Sequence, residues 1–395
     1  MRKIVIPFIV SLTILCLSCS QTKESENFIL NVDLKEPASQ ENIDRFLGKL
    51  KIRLMPLETT DVNLFNGESS KIRIIDDFIF IQDQLQSCIF RFDKQGNYIN
   101  RIFHKGEGDK EYVSMLSVSY GNGYIYVVDW KKIQVYDYEG DYVRTYSMDP
   151  AILDGASLLV GSNKKIYLKK NYTNETQLCI MNMEGEVEGE FLPSKEVVRT
   201  FPIAKGNNYA IGECSLGVYL ANPMDNNIYL ANDTVSVLAQ LDFGPMNLPS
   251  DFFDGTTDVV FKKFWDYRGT PYNPTSHIVQ IGNLVVSDDW ISFVPESFDP
   301  VVVYCNRKTG ESITNKNIPE PFLTFLGNYR GPNGYEKSTQ EFYRLVNALE
   351  LKELIENLSL ENSDYELKYP FLKDIDVNLL NENMNDLVLF FEIHP

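Results

Sequence analysis

One turn-like phrase recurs at a nearly fixed spacing along the first half of the chain. The phrase FDKQGNY at residues 92–98 returns as YDYEGDY at residues 136–142, and more loosely as MNMEGEV at residues 181–187. The three glycines are 44 and then 45 residues apart, and apolar runs typical of strands lie between the copies. A period of this length is typical of radial β-arrays, in which each repeat forms one small sheet. The repeat therefore predicts an all-β fold.

The repeated phrase has the chemistry of a hairpin turn. Its Asp can accept hydrogen bonds from N–H groups of the turn, and its Gly can adopt a positive φ without a steric penalty. We therefore interpret the Asp and Gly of each phrase, Asp93 with Gly96 and Asp137 with Gly140, as structural residues that mark the repeats. We assign them no catalytic role.

A second series of turns supports the count of repeats. Each of these turns precedes an apolar run that suits a strand buried on both faces. The turn markers are Asp77, Gly123, Lys164, Asn208 and Asn283. Five blades are visible between residues 71 and 318, and a sixth closes the ring if Lys51–Met55 pairs with Leu387–Phe391. We predict a six-bladed β-propeller of four-stranded antiparallel blades, with seven blades as the main alternative.

Two segments break the β pattern and predict two helical decorations. Residues 248–268 combine a Pro-Ser-Asp start signal with apolar residues at helical spacing. In residues 338–358, Ser338 and Glu341 resemble a capping box ahead of an apolar stripe that includes Phe342 and Leu349. We expect both helices to pack against the propeller, and a role as a lid or a partner-binding element is the alternative.

The N-terminus predicts export. Arg2 and Lys3 precede an apolar run over residues 4–17, which at 14 residues is too short to span about 30 Å of hydrocarbon as a helix. Ser18-Cys19 resembles the bacterial lipobox, in which the cysteine is lipidated and becomes the new N-terminus. We expect a signal peptide over residues 1–18, lipidated Cys19 with a polar tether over 19–45, and one propeller domain over 46–395. An ordinary cleaved signal without lipid is the alternative.

Charge and cysteine content limit the partners. The sequence has 55 Asp and Glu against 37 Lys and Arg, and loss of Arg2 and Lys3 takes the formal charge from −18 to −20. This acidity argues against nucleic acid as a partner, because phosphate binding requires clustered Lys and Arg. We expect the remaining cysteines to be small buried hydrophobes, with one disulfide as the alternative. They are Cys88, Cys179, Cys214 and Cys305.

Two further motifs flank the first repeat, PLETT at residues 56–60 and GEGDKEY at residues 106–112. With them the chain resembles the six-bladed β-propeller lipoproteins of gut Gram-negative anaerobes, whose repeats are similar to NHL repeats. Asp109-Lys110 stands where that family usually has Pro-Gly. The resemblance covers nearly all of the mature chain. It implies the propeller fold and a lipoprotein of the cell envelope, on the outer membrane, with the periplasmic and surface-facing sides left open. It implies no biochemical activity.

The sequence contains no recognisable catalytic motif. His104, His277 and His394 lie far apart and form no zinc-binding pattern. Nucleophile-elbow, phosphate-loop, dinucleotide-binding and EF-hand patterns are also missing from the sequence. We expect no metal site and no cofactor, and calcium is the one ion left open.

Two Asp-Trp pairs give the candidate ligand site. Each pair follows an apolar strand run, and an indole face beside a carboxylate suits sugar or peptide recognition. The alternative is that each indole wedges between blades. The ligand-binding candidates are Asp129, Trp130, Asp289 and Trp290, together with His104, Glu107 and Glu111 of a neighbouring inter-blade loop.

We predict a binding protein rather than an enzyme. A membrane anchor at Cys19 would hold a propeller that captures a glycan, a peptide or a partner protein at its axial mouth. The first alternative is a metal-assisted hydrolase or lyase of the gluconolactonase or NHL type, with Asp129, Asp288 and Asp289 near the metal. The second is a structural component of an outer-membrane assembly that makes contact through one of the two helices.

Overall fold

The computed structural model describes residues 28–34, 39–200, 210–268, 277–296, 301–314, 331–361, 364–369, 372, 375–381 and 384–394. The predicted signal peptide, Cys19 and the first residues of the tether lie outside the described residues. The first described elements are β1 (Ile29–Asn31), α1 (Gln40–Gly48) and β2 (Leu50–Pro56).

The next strands form the first three blades, and the chain runs outward from the innermost strand in each. Blade 1 contains β3 (Ser70–Ile75), β4 (Phe78–Asp83), β5 (Cys88–Asp93) and β6 (Tyr98–Ile102). Blade 2 contains β7 (Ser117–Gly121), β8 (Tyr124–Val128), β9 (Lys132–Asp137) and β10 (Tyr142–Ser147), and the short helix α2 (Pro150–Leu153) follows it. Blade 3 contains β11 (Ser157–Val160), β12 (Ile166–Lys169), β13 (Thr176–Met181) and β14 (Val187–Pro193).

The remaining strands complete the ring. After α3 (Glu196–Arg199), blade 4 contains β15 (Ile211–Cys214), β16 (Gly217–Ala221), β17 (Asn227–Ala231) and β18 (Val235–Asp242). After α4 (Thr257–Arg268), blade 5 contains β19 (Ile281–Val286), β20 (Trp290–Pro295), β21 (Val303–Asn306) and β22 (Ser312–Thr314). The last elements are β23 (Gly334–Glu336), β24 (Glu341–Val346), α5 (Ala348–Glu361), α6 (Tyr365–Lys368) and β25 (Leu387–Ile393).

Both ends of the chain share blade 6, which confirms the predicted closure. Its order from the inside outward is β23, β24, β25 and β2, so the N-terminal strand is the outer edge of the last blade. β2 pairs antiparallel with β25 and places Leu54 opposite Leu389. Contacts between successive innermost strands run around the ring from β3 through β7, β11, β15, β19 and β23 back to β3. The fold is therefore a six-bladed β-propeller, as predicted.

The repeated phrase forms the turn between the third and fourth strands of a blade. The Asp93 Oδ1 atom accepts hydrogen bonds from the amides of Gln95 and Asn97, at 2.8 and 2.9 Å. Asp137 and Asn182 bind their own turns in the same way. The three glycines have φ of 86°, 99° and 89°, which confirms the prediction of a left-handed turn residue. Their role is structural, since they sit where one blade meets the outer strand of the blade before it.

Strand assignment in blades 4 and 5 differs from the prediction. Asn283 was expected to mark the turn before a second strand, but it lies within β19, the innermost strand of blade 5. The turn between the first two strands of that blade is formed by residues 287–289. Asn208 lies outside the described residues. The strand at this marker is therefore the first strand of blade 5 rather than the second. The first and second strands of the blade are both short apolar runs, and sequence periodicity does not distinguish them.

The C-terminal helix begins later than predicted. Residues 341–346 form β24, because the closing blade requires a second strand there, and Phe342 pairs with Phe391 of β25. The helix α5 begins at Ala348, and the Asn347 side chain accepts hydrogen bonds from the amides of Leu349 and Glu350. In the insertion, the helix occupies Thr257–Arg268, the second half of the predicted range.

Part of the predicted tether is folded. Ile29–Asn31 forms a fifth strand of blade 4 and runs parallel to β18, with Leu30 fully buried. The helix α1 starts at Gln40 and places Phe46 in the core between blades 5 and 6. Neither element was expected from the polar composition of this segment.

The core consists of apolar clusters between neighbouring blades. All four expected cysteines are buried and unpaired within the described residues, which confirms their prediction as small hydrophobes. Burial raises the pKa of the Cys305 thiol to about 12, so it has little thiolate character. No helix in the described ranges is both long and apolar enough to cross a membrane.

Candidate functional site

A cavity of about 440 Å³ lies on the axis of the propeller. It is lined by the last residues of the innermost strands and by the turns that lead to the second strands, from blades 1, 2, 3, 4 and 6. The four successive strands of each blade alternate in direction, so these turns share one face of the ring with the repeat turns. Polar pockets of this size at a propeller axis are candidate ligand sites.

Arg73 places a cation inside this cavity. It lies in β3 between Ile72 and Ile74, and its Nη1 donates to the carbonyl oxygen of Asn333 next to blade 6, at 3.3 Å. Lys71 lies two residues earlier on the same side of the strand. Burial, and then the charge of Arg73, lower the pKa of Lys71 to about 8, so both groups are mainly cationic at neutral pH.

Two tyrosines on the second strands of their blades reach the cavity by passing over a glycine of the innermost strand. Tyr219 pairs with Gly212, and Tyr343 pairs with Gly334, at equivalent positions of blades 4 and 6. A β-carbon built on either glycine would lie 2.2 Å from the hydroxyl oxygen of its tyrosine. Because glycine has no side chain, both phenols can lie against the innermost strand and line the cavity. The Tyr343 hydroxyl accepts a hydrogen bond from the amide of Ile74, at 3.3 Å.

Tyr120 contributes a third phenol, and its hydroxyl has no hydrogen-bond partner within the described part of the chain. The residue is only 5% exposed and stacks on Phe80, with ring centroids 4.4 Å apart. Burial raises its pKa well above the usual range, so the phenol stays protonated. An unpaired buried hydroxyl carries a desolvation cost, which makes this group a candidate for ligand contact.

The mouth of the cavity carries mainly carboxylates. Asp76 accepts a hydrogen bond from the Tyr138 hydroxyl at 2.9 Å. Glu213 accepts from the amide of Ser162 at 3.0 Å and pairs with Lys337, with 3.6 Å between Oε2 and Nζ. Glu336 also lines the mouth. These contacts connect blades 3, 4 and 6 across the opening.

None of the residues predicted to bind ligand lines the axial cavity. Asp129 is 3% exposed, and its carboxylate accepts from the amides of Val113, Ser114 and Trp130. Asp83 holds the inter-blade loop of blade 1 in the same way, through the amide of Asn66. The Asp129 carboxylate therefore positions a loop, whereas the Trp130 indole is 51% exposed at the turn between the second and third strands.

The inter-blade loop of residues 104–112 lies along β9 of blade 2. His104 stacks on Tyr136 and hydrogen bonds to the carbonyl oxygen of Gly140, at 2.7 Å. Glu111 accepts from the amide of Gly108 at 2.9 Å, and Glu107 is exposed to solvent. The structure thus brings this loop close to Asp129 through the hydrogen bond from Val113.

Trp290 lies elsewhere. It begins β20 in blade 5, is 2% exposed, and donates from its indole nitrogen to the carbonyl oxygen of Ile393, at 3.1 Å. Its ring packs between blades 5 and 6 against Phe46. Asp289 forms an ion pair with Lys308, at 2.6 Å. Because Trp130 follows a second strand and Trp290 follows a first strand, the two Asp-Trp pairs occupy opposite faces of the ring.

The described residues contain no group of three or more His, Cys, Asp or Glu side chains placed to hold a metal ion. Asp288, which the hydrolase alternative requires near Asp129, is bound to Ser215 of blade 4. Blades 2 and 5 lie across the ring from each other, so Asp129 and Asp288 do not meet.

Sequence reasoning missed the axial residues. Two signals were present: two basic residues, Lys71 and Arg73, that alternate with isoleucines in KIRII, and glycines within the short strands that contain Gly212 and Gly334. Either signal becomes informative only once the innermost strand of each blade is known.

Comparison with one solved structure supports the fold, and a family model matches most of the chain. Residues 49–392 match the family model described as "Domain of unknown function (DUF4934)". A crystal structure of a Bacteroides fragilis protein inferred to be exported matches with a TM-score of 0.67 and 16% identity, over 93% of this chain and 99% of that chain. A DUF4221 family member from Bacteroides vulgatus has a TM-score of 0.49 and 12% identity, over 87% and 96%. No match to a curated protein was found.

Proposed function

The chain belongs to the DUF4934 family, and we propose that it is a non-catalytic binding protein whose ligand occupies the axial cavity. One observation carries the proposal: Arg73 and the Tyr120 hydroxyl, which has no hydrogen-bond partner among the described residues, line the same enclosed space at the centre of the ring. A cation and a spare donor on rigid strands offer binding groups that are already in place before the ligand arrives.

The chemistry of the residues that line the cavity favours binding over catalysis. Arg73 remains charged throughout the usual pH range and does not transfer protons. The phenols of Tyr120 and Tyr219 are held protonated by burial, which raises the pKa of each. These groups orient and stabilise a polar ligand.

We further propose that lipids on Cys19 anchor the propeller to a membrane of the cell envelope. The support is the Ser18-Cys19 pair directly after an apolar export signal. Phe28 is already attached to blade 4, since its carbonyl oxygen accepts from the amide of Gln240 at 2.9 Å. The chain between Cys19 and Phe28 can span at most about 30 Å, so the anchor would keep blade 4 close to the membrane surface. Two or three acyl chains would suffice for stable attachment.

The binding proposal is tested by blocking the mouth of the cavity. Ser162 is exposed at the rim, and Ser162→Trp would place an indole over the opening. Leu216→Trp is the matched control, because Leu216 is 47% exposed on a turn of the same face and does not line the cavity. Thermal shift of the full-length protein against saccharides, organic acids and short peptides identifies ligands, and titration calorimetry measures their affinity.

We expect Ser162→Trp to weaken binding at least about tenfold and Leu216→Trp to leave it unchanged. The proposal fails if no compound raises the melting temperature, or if a ligand binds both variants as well as it binds the unchanged protein.

A further inference from the structure

We infer that the ligand of the axial cavity is a sugar acid of monosaccharide size, with its carboxylate on Arg73 and its hydroxyls towards the mouth. This inference rests on the proposed function and names the ligand class of the same site.

The inner end of the cavity suits a single anionic group. The Arg73 guanidinium presents donors in a planar fork that matches a carboxylate. Its described partners are the Asn333 carbonyl oxygen, which accepts from Nη1, and the Tyr343 hydroxyl, and neither is a carboxylate. Lys71 adds positive potential from the same strand. A cation in this setting without a described carboxylate partner favours an anionic ligand.

Tyrosine hydroxyls complete the anion site. The Tyr120 hydroxyl has no partner among the described residues and can donate to a ligand oxygen. The Tyr343 hydroxyl accepts from the amide of Ile74, which leaves its own hydrogen able to donate. Both residues line the cavity together with Arg73. An oxygen-rich ligand would therefore satisfy a buried hydroxyl for which the described ranges supply no partner.

The mouth has the opposite chemistry. Asp76, Glu213 and Glu336 come from blades 1, 4 and 6, and their carboxylates outnumber the lysine that lines the same opening, Lys337, which pairs with Glu213. Ionised carboxylates only accept hydrogen bonds, so a ligand must supply donors at several points around its edge. The hydroxyls of a sugar ring do so, whereas an ammonium group supplies its donors from one point. The same carboxylates repel a dianionic phosphate ester, which favours a ligand with one negative charge.

The size of the site favours a small molecule. Glu213 is tied to Ser162 of blade 3 and to Lys337 of blade 6, so the opening is crossed by side chains. From Arg73 to Ile75, the last residue of β3, is two steps of extended strand, or about 7 Å, and the Asp76 turn follows directly. One pyranose ring with its carboxylate fits this depth, and about 440 Å³ holds it with ordered water.

The experiment compares three probes of nearly equal shape by titration calorimetry on the full-length protein: galacturonate, its neutral amide and galactose. Glutamate and inorganic phosphate test the competing ligand classes. We expect galacturonate to bind about 10- to 100-fold more tightly than the amide or galactose, because a hydrogen bond to a charged group is stronger than a neutral one. Arg73→Gln should remove this preference and Arg73→Lys should restore part of it.

Tyr120→Phe provides a test that does not depend on the folding of an arginine variant. It removes a hydroxyl that no described residue pairs with, so the free protein should be at least as stable, while galacturonate affinity falls about five- to tenfold. Tyr136→Phe is the matched control: it removes a hydrogen bond to the Lys110 carbonyl oxygen outside the cavity. It should lower the melting temperature and leave the affinity unchanged.

Equal binding of the acid, its amide and galactose, each blocked by Ser162→Trp, would overturn the sugar-acid inference and leave the proposed function standing. Preferred binding of glutamate or phosphate, or failure of galacturonate to bind, would also overturn the inference. Failure of every probe and of the wider ligand panel would overturn the proposed function as well.

Discussion

A β-carbon on Gly96 would lie 2.4 Å from the carbonyl oxygen of Pro56, so the first repeat turn fits closely against the outer strand of the neighbouring blade. The later turns repeat this relationship, because Gly140 meets Ile102 and Gly185 meets Tyr146. Each copy of the repeated phrase therefore marks a place where one blade packs against the outer strand of the blade before it.

Gly96→Ala should destabilise the protein by about 2–4 kcal/mol, which combines the penalty of a positive φ with displacement of a backbone atom. Gly123→Ala is the control, since its φ is 81° and nothing lies within 4 Å of a β-carbon there. It should cost only about 1 kcal/mol. Urea unfolding of both variants measures the difference, and equal losses would show that the Pro56 contact is unimportant.

Trp290→Ala and Trp130→Ala should have very different effects on stability. Trp290 is buried between blades 5 and 6, so its loss should lower the free energy of unfolding by about 3–5 kcal/mol. The half-exposed Trp130 should contribute within about 0.5 kcal/mol. Chemical unfolding measures both. Ligand affinity that falls with Trp130→Ala would instead support the sequence-based site at the Asp129–Trp130 turn.

Buried lysines should make the protein more stable in mildly alkaline solution. Burial lowers the pKa of Lys169 to about 8. From pH 8 to about 10.5 the unfolded chain then binds more protons at this residue than the folded chain, so the free energy of unfolding rises with pH. The slope has an upper limit of about 1.4 kcal/mol per pH unit for each such group. Above pH 10, buried tyrosines such as Tyr120, whose pKa is raised, reverse the sign.

Lys169→Met should therefore stabilise the protein at pH 7 and reduce the rise between pH 8 and 10. Lys262→Met is the control, because that side chain is 76% exposed. Melting temperatures across this pH range check the prediction. An unchanged slope in Lys169→Met would show that Lys169 is not the source.

Cys19→Ser should abolish incorporation of labelled palmitate when the full-length protein is expressed in a Gram-negative host, because the acylated thiol is lost. Cys16→Ser is the matched control and should retain the label, since bulky Leu15 precedes Cys16 whereas small Ser18 precedes Cys19. Label that persists in Cys19→Ser would contradict the anchor assignment.

Local chemistry explains which parts of the fold were predictable. The Asp93–Gly96 turn depends on residues adjacent in sequence, so its pattern alone indicated the hairpin and, through its period, the blade. The pairing of Lys51–Met55 with Leu387–Phe391 was also predicted, because a ring can close by joining strands from both ends of the chain, and the structure adds the register that places Leu54 opposite Leu389.

Long-range context explains the errors. Phe342 has helical spacing to its apolar neighbours, yet the closing blade takes it into β24 as the second strand. The Asp-Trp pairs look alike locally, but the turns of Trp130 and Trp290 follow different strands of their blades. The axial site gathers Arg73, Tyr120 and Tyr343 from three blades, and sequence spacing does not reveal such a meeting.

A crystal structure of the full-length protein with galacturonate would show whether the axial cavity is the ligand site. We expect density for one sugar ring in the axial cavity, with its carboxylate about 2.7–3.2 Å from the Arg73 guanidinium and an oxygen within reach of the Tyr120 hydroxyl. An axial cavity that holds only water while the sugar binds beside Trp130 would contradict it.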